Sequence, residues 1–215
     1  MARTAEVAVI ENDIYSELSY WENDSRPRLK ELDANVILLG SFSKIAFPGI
    51  RVGWIIGPRP VIARATELKQ LADLHTDHLS QAFLLRFAES GRLARHQSTV
   101  IAATKEKLRA LEQSCRRFLN GCTYQVPRGG MNMWITLPDD LDAVGLRSLA
   151  QQAGVDFLPG RMFSVSRPLD SGLRLSFAGL EPQEIRKGIE ILGGLIEDAL
   201  KVRGARSSET ALALV

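Results

Sequence analysis

The 215-residue sequence lacks most features that mark a specialised class of protein. It has only two cysteines, Cys115 and Cys122, so neither a disulfide framework nor a zinc site built from cysteine pairs is indicated. No charge of one sign dominates, because 27 basic and 25 acidic residues leave a formal charge of +2. This balance argues against a nucleic-acid surface built from bulk charge.

Long apolar runs are also missing. None approaches the ~20 residues that a membrane-spanning helix needs. The first residues, MARTAEVAVIEND, become acidic too early for a signal peptide. We therefore expect a cytoplasmic protein that contacts no membrane.

What is present fits an ordinary globular protein. Hydrophobic residues make up 45% of the chain and charged residues 24%, which is close to the average of soluble domains. The length suits one to two domains. A chain of this size buries roughly 70% of its unfolded surface on folding, which is enough for a real core.

Apolar runs of strand length alternate with polar loops in the first sixty residues. They are Val7–Glu11, Asn35–Gly40 and Arg51–Gly57. Nearly continuous apolar runs are typical of strands covered on both faces, as in an α/β sheet. Polar segments follow or adjoin these runs, and ligands of open α/β sheets bind at that edge.

A helical pattern follows from about Arg59 to Phe118, including an amphipathic helix over Gln97–Leu119. Strand patterns then alternate with two more helices. The strands are Met131–Leu137, Val155–Gly160 and Leu173–Phe177, and the helices are Leu141–Ala153 and Gln183–Val202. The sequence therefore predicts two α/β modules, 1–95 and 96–205, joined by a long helix and followed by a flexible tail at 206–215.

One segment, GSFSKIAFPGIRVGW at residues 40–54, combines cations and hydroxyls between apolar runs. A lysine in an apolar, partly dry site loses proton affinity and can form a Schiff base with a carbonyl, which is a task for Lys44. Arg51, Ser41 and Ser43 suit a phosphate, which arginine grips through two parallel hydrogen bonds. Together these features indicate pyridoxal 5'-phosphate as the ligand.

The same segment resembles the lysine signature of fold-type-I pyridoxal-phosphate aminotransferases of class I/II. Four further stretches resemble family motifs in the expected order: VIENDIYSELSY, PRGGMNMWITLP, LPGRMFSV and GLRLSFAG. The sequence as a whole resembles the aminotransferase-like domains of GntR/MocR-type transcriptional regulators and kynurenine aminotransferases. The resemblance covers about residues 5 to 202.

The resemblance implies a fold and a set of roles. The α/β fold would comprise part of the large pyridoxal-phosphate domain, with a mostly parallel sheet, followed by the smaller C-terminal α/β domain. Lys44 would form the Schiff base and act in catalysis, while Ser41, Ser43 and Arg51 would hold the phosphate. Tyr15 would contact the phenolic oxygen of the cofactor ring.

By the same resemblance Arg174 would bind the α-carboxylate of the substrate. An arginine inside an apolar strand also needs a partner on physical grounds. The resemblance implies that the family's upstream strands are absent, so we expect the chain to be the C-terminal portion of a longer protein. Such a portion alone is expected to be inactive, and its parent is expected to form a homodimer.

The family's aspartate, which pairs with the pyridine nitrogen, is replaced or displaced in this sequence. The Asp-x-x-Tyr spacing counted back from Tyr15 ends on Asn12, whereas the charge is on Asp13. Neighbouring residues of a strand point to opposite faces. Spacing favours Asn12 and charge favours Asp13, so both stay candidates.

Two functions are compatible with these residues. The favoured one is amino-group transfer between an amino acid and a 2-oxo acid through Lys44. The alternative is a regulatory domain that senses pyridoxal phosphate or an amine effector and contacts DNA only through an upstream domain. His75 and His78 have the spacing of two helical metal ligands, but without a third ligand we interpret them as structural and expect no metal.

Overall fold

The computed structural model describes residues 4–21, 27–138, 141–166 and 169–212, with side chains described as far as Arg203. The chain divides into two compact units. The first comprises Met1–Ala102 with Arg128–Gly130, and the second comprises Ala103–Pro127 with Met131–Val215. The dividing point at Ala102 lies inside one long helix, which also contains the predicted boundary between residues 95 and 96.

The first unit contains a three-stranded sheet and mostly helical segments after it. The elements are β1 (Ile10–Asn12), α1 (Leu29–Leu32), β2 (Ile37–Ser41), β3 (Gly53–Ile56), α2 (Arg59–Asp73), α3 (His78–Glu89) and the start of α4 (Arg92–Phe118). The strand order is β1-β2-β3, in which β1 and β2 are parallel and β2 and β3 are antiparallel. Every predicted strand of this region is present, with its ends moved by up to three residues.

The antiparallel direction of β3 follows from the short connection that precedes it. Residues 42–52 separate β2 from β3 and hold only a short 3₁₀ turn at Pro48–Ile50. A parallel return needs a crossover of about a dozen residues or more, usually with a helix. The apolar sequence of β3 had predicted a strand covered on both faces. All four of its residues are exposed, so the described residues leave this strand uncovered.

Among its described residues, the second unit contains a four-stranded antiparallel sheet and three α-helical segments. Besides the rest of α4, its elements are β4 (Thr123–Tyr124), β5 (Asn132–Thr136), α5 (Ala143–Gln152), β6 (Leu158–Pro159), β7 (Gly172–Ser176) and α6 (Pro182–Leu212). The strand order is β4-β5-β7-β6. Two differences from the sequence prediction stand out. The two-residue strand β4 was not predicted, and α6 continues ten residues beyond Val202 into the predicted tail.

The core of the second unit consists of every second side chain of its strands and of the apolar face of its helices. In β5, Met133 and Ile135 are buried while Trp134 between them is exposed, as a period of two requires. The helices add their apolar stripes to this layer: Leu108, Leu111 and Cys115 from α4, and Ile185, Ile189, Leu192 and Ile196 from α6. No helix within the described ranges is both long and apolar enough to cross a bilayer.

Two leucines on α5 provide a matched test of this core. Leu146 is 4% exposed and Leu149 is 49% exposed on the same helix. Replacing Leu146 by alanine is expected to lower the free energy of unfolding by about 2–5 kcal/mol. The variant loses the burial of the leucine side chain and leaves a cavity in its place. Leu149→Ala should cost less than about 1 kcal/mol. Urea unfolding of both variants measures the difference, and equal losses would contradict the described packing.

Candidate active site

The Lys44 segment is a hydrogen-bonded turn that begins where β2 ends. The Ala46 amide donates to the Phe42 carbonyl at 2.8 Å, and the Ser43 amide donates to Ser41 Oγ at 3.1 Å. Ile45 and Ala46 are buried, so they anchor the turn while Lys44 remains half-buried. The turn therefore holds the lysine against the end of the sheet.

Lys44 lies beside Tyr15, which follows the end of β1. Lys44 Nζ is 5.8 Å from the centroid of the Tyr15 ring, within the range of a cation–π contact. Across the described part of the chain, the Lys44 amine has no hydrogen-bond or ion-pair partner. A half-buried amine without a polar partner is available to a ligand, which is what a covalent role for Lys44 requires.

Arg51 and the two serines form a hydrogen-bonded cluster next to this lysine. Arg51 Nη1 donates to Ser43 Oγ at 3.3 Å and to the Pro48 carbonyl at 2.9 Å. The backbone of Arg51 is in the left-handed region, with φ of 58°, where a residue other than glycine is strained by about 1–3 kcal/mol. Its guanidinium is exposed and keeps further donors for an anion. This donor set fits a phosphate group.

Glycines shape the wall beside Tyr15. Gly130 has φ of 81°, and a Cβ built on it would lie 3.6 Å from the Tyr15 ring. A Cβ on Gly129 would lie only 2.5 Å from the Leu18 carbonyl oxygen, so any side chain there would clash with backbone. The Tyr20 hydroxyl donates to the Gly130 carbonyl and holds this segment in place. The close approach explains Gly129, and the left-handed backbone explains Gly130, in the segment PRGGMNMW.

Asn12 and Asp13 have different surroundings. The Asp13 carboxylate accepts a hydrogen bond from Arg28 Nε at 2.5 Å, and this side chain is 14% exposed. Donating this hydrogen bond to Asp13 raises the pKa of the Arg28 guanidinium above its usual value, with desolvation opposing the shift. Asn12 is exposed and has no side-chain hydrogen bond within the described residues. Sequence reasoning did not identify Arg28, because no short-range pattern links residues fifteen positions apart.

Arg174 lies in the second unit, in the middle of β7. It is opposite Trp134 of β5 and Leu158 of β6, and its guanidinium carbon lies 4.7 Å from the centroid of the Phe163 ring. Arg174 Nε is buried and has no hydrogen-bond partner in the described structure. A buried donor left unpaired costs about 1–3 kcal/mol, so this guanidinium has an unused place for an acceptor such as a carboxylate.

The cysteines and histidines offer no second site. Burial raises the pKa of the Cys115 thiol to about 12 and that of Cys122 to about 11, so both thiols stay protonated and unreactive near neutral pH. The rings of His75 and His78 stack with centroids 4.4 Å apart. The part of the chain that the structure describes has no group of three or more histidine, cysteine or acidic residues that could hold a metal ion.

Comparison with known proteins decides the family. The profile of the family described as "Aminotransferase class I and II" matches residues 1–192. The chain belongs to this aminotransferase family. Aromatic-amino-acid aminotransferase 1 of Thermococcus litoralis is 32% identical over 203 residues, which cover 94% of this chain and 49% of that protein.

Other relatives of this chain include an enzyme of known structure and a transcriptional regulator. The α-aminoadipate aminotransferase LysN of Thermus thermophilus, crystallised with N-(5'-phosphopyridoxyl)-L-leucine, superposes with a TM-score of 0.87 at 33% identity, over 94% of this chain and 53% of that one. The uncharacterised HTH-type transcriptional regulator YdfD of Bacillus subtilis is 31% identical over 205 residues, 92% of this chain and 41% of that protein.

These comparisons confirm the predicted family resemblance and the predicted fold class. The chain spans about half the length of the curated relatives described above. The first unit brings together Lys44, Tyr15 and the cluster of Ser41, Ser43 and Arg51. Arg174 lies in the second unit.

Proposed function

We propose that the chain is part of a pyridoxal-phosphate-dependent aminotransferase that moves an amino group between an amino acid and a 2-oxo acid. The observation that carries the proposal is Lys44: its amine has no polar partner in the described structure, and it lies beside Tyr15 and the cluster of Ser41, Ser43 and Arg51. The family supports the same cofactor and the same reaction.

Each residue then has a defined task. Bound pyridoxal phosphate supplies an electron-accepting ring that stabilises negative charge on the substrate Cα. Lys44 would hold the cofactor covalently through its side-chain amine, and the same amine would accept and return the proton of the substrate Cα. Arg51 donates to phosphate oxygens together with Ser41 and Ser43.

Tyr15 and Arg174 complete the proposed assignment. The Tyr15 hydroxyl would donate a hydrogen bond to the phenolic oxygen of the cofactor ring. Arg174 binds the α-carboxylate of the amino acid, and its unpaired Nε provides one of the two parallel donors that such a pair uses. The Phe163 ring under the guanidinium keeps its plane in one orientation.

A regulatory function is the second candidate, because an HTH-type transcriptional regulator matches 92% of this chain. In that case the same residues hold pyridoxal phosphate or an amine effector, and DNA is contacted by a separate upstream domain. In either case we propose that the intact protein is a cytoplasmic homodimer, as the family resemblance implies.

The two candidates differ in turnover. The intact protein loaded with pyridoxal phosphate is mixed with an amino acid alone, and the visible absorbance of the bound cofactor and the released 2-oxo acid are followed. A transaminase should lose the visible absorbance of the bound cofactor and release one 2-oxo acid per cofactor. When a second 2-oxo acid is added, it should begin to turn over. A spectral change without 2-oxo acid release favours the sensor. A protein that binds no cofactor contradicts both.

A further inference from the structure

Asp13 is committed to a structural ion pair. Arg28 donates from Nε to Asp13 at 2.5 Å and from Nη2 to Glu17 at 2.8 Å. Arg28 immediately precedes α1, and the Glu11 carboxylate accepts hydrogen bonds from the first two amides of that helix, at 2.8 and 2.9 Å. Glu11 therefore holds the start of α1 in the place where Arg28 reaches Asp13.

The backbone stays regular through Asp13, so the two neighbours point to opposite faces of the sheet. Asn12 pairs with Leu39, and the Asp13 amide donates to the Leu39 carbonyl at 2.9 Å, which continues the parallel ladder. Glu11 and Asp13 alternate to one face, and both contact the segment at the start of α1. Asn12 therefore belongs to the other face.

Asn12 lies on the same face of the sheet as Ser41, whose hydroxyl is proposed to bind the phosphate. Its register partner Leu39 is two residues before Ser41 in β2, so Asn12 and Ser41 project from the same side of the sheet. Ser41 Oγ accepts from the Ser43 amide at 3.1 Å, and Ser43 in turn contacts Arg51. The face opposite Arg28 thus joins Asn12 to the proposed cofactor site.

We propose that Asn12, and not Asp13, contacts the pyridine nitrogen of the cofactor, and that Arg28 keeps Asp13 on the opposite face. This inference rests on the proposed binding of pyridoxal phosphate. A carboxylate beside the nitrogen stabilises a pyridinium proton, whereas a neutral amide donates a hydrogen bond to an unprotonated nitrogen. An unprotonated ring accepts electrons less well, so the site holds its cofactor while catalysing Cα proton removal slowly. That behaviour suits ligand sensing or slow transamination.

The protonation of the ring nitrogen tests the assignment directly. The intact protein is loaded with pyridoxal phosphate labelled with ¹⁵N in the ring, and the ring ¹⁵N resonance is recorded. The native protein should show an unprotonated nitrogen. Asn12→Asp should move the resonance to that of a pyridinium, because a negative charge on the same face retains the proton. Asp13→Asn should leave the resonance in place but lower Tm, because Arg28 loses its ion pair with Asp13 and keeps only its contacts to other residues, such as Glu17.

The outcomes separate this inference from the function on which it rests. A pyridinium resonance in the native protein that disappears in Asp13→Asn would overturn the assignment to Asn12 while leaving cofactor binding intact. An unchanged resonance in Asn12→Asp would overturn it as well. A native protein that shows no bound cofactor resonance and no borohydride-stable adduct removes the proposed function and this inference together.

Discussion

Lys44→Ala is expected to abolish covalent attachment of the cofactor completely. Borohydride reduction of the loaded intact protein should fix one cofactor per native chain and none per variant chain, because the only half-buried amine placed beside Tyr15 and Arg51 in the described structure is removed. Amino-group transfer should fall by at least about a hundredfold, since the proton-transfer group is lost with the covalent bond. Fluorescence of the reduced protein measures the attachment.

A matched control comes from another lysine of the first unit. Lys69 is exposed and forms an ion pair with Asp73 at 2.9 Å on α2. Lys69→Ala should keep full attachment, because an exposed ion pair is worth at most about 1 kcal/mol and, among the described residues, the Lys69 amine bonds only to Asp73. Continued labelling of Lys44→Ala at the native stoichiometry would place the reactive amine elsewhere.

Arg174→Ala is expected to weaken binding of the substrate carboxylate about tenfold to a hundredfold, because a hydrogen-bonded charge pair is worth about 1.5–3 kcal/mol. The cofactor absorbance should not change, because the proposed contacts of the cofactor are to residues of the first unit. Arg174→Lys should recover part of the loss, since it restores the charge but not the two parallel donors. Spectral titration with an amino acid gives the Kd of each variant.

Arg147 provides the control for this measurement. It forms an exposed ion pair with Asp156 at 2.7 Å in the same unit, and its hydrogen bond lowers the pKa of Asp156. Arg147→Ala removes the same type of side chain and should leave the Kd within about twofold of the native value. A native Kd in Arg174→Ala would show that its unpaired Nε serves some other acceptor.

The sequence was informative where local chemistry decides the structure. The three runs of the first sixty residues formed strands because apolar, β-branched segments of that length pair readily. The predicted helix Gln97–Leu119 lies in α4 apart from its last residue, because its apolar stripe has helical spacing. Lys44, Arg51 and the two serines could be grouped from one segment of fifteen residues. Their cofactor role remains a proposal, although the structure brings them together.

Contacts that depend on the tertiary path of the chain could not be predicted from the sequence. Nothing near Asp13 in the sequence indicates that Arg28 binds it, because the contact requires α1 to be held by Glu11. The exposure of β3 depends on which other segments cover the sheet, and the clash that excludes a side chain at Gly129 involves the distant Leu18 carbonyl. Pairings of this kind are set by tertiary geometry and leave no periodic signal.

The covalent bond at Lys44 is the central claim, and its location can be measured directly. The intact native protein is saturated with pyridoxal phosphate, reduced with borohydride, digested and analysed by mass spectrometry. The account predicts that the cofactor mass is found on the peptide containing Lys44 and on no other lysine peptide. Full occupancy by cofactor with an unmodified Lys44 peptide would contradict it.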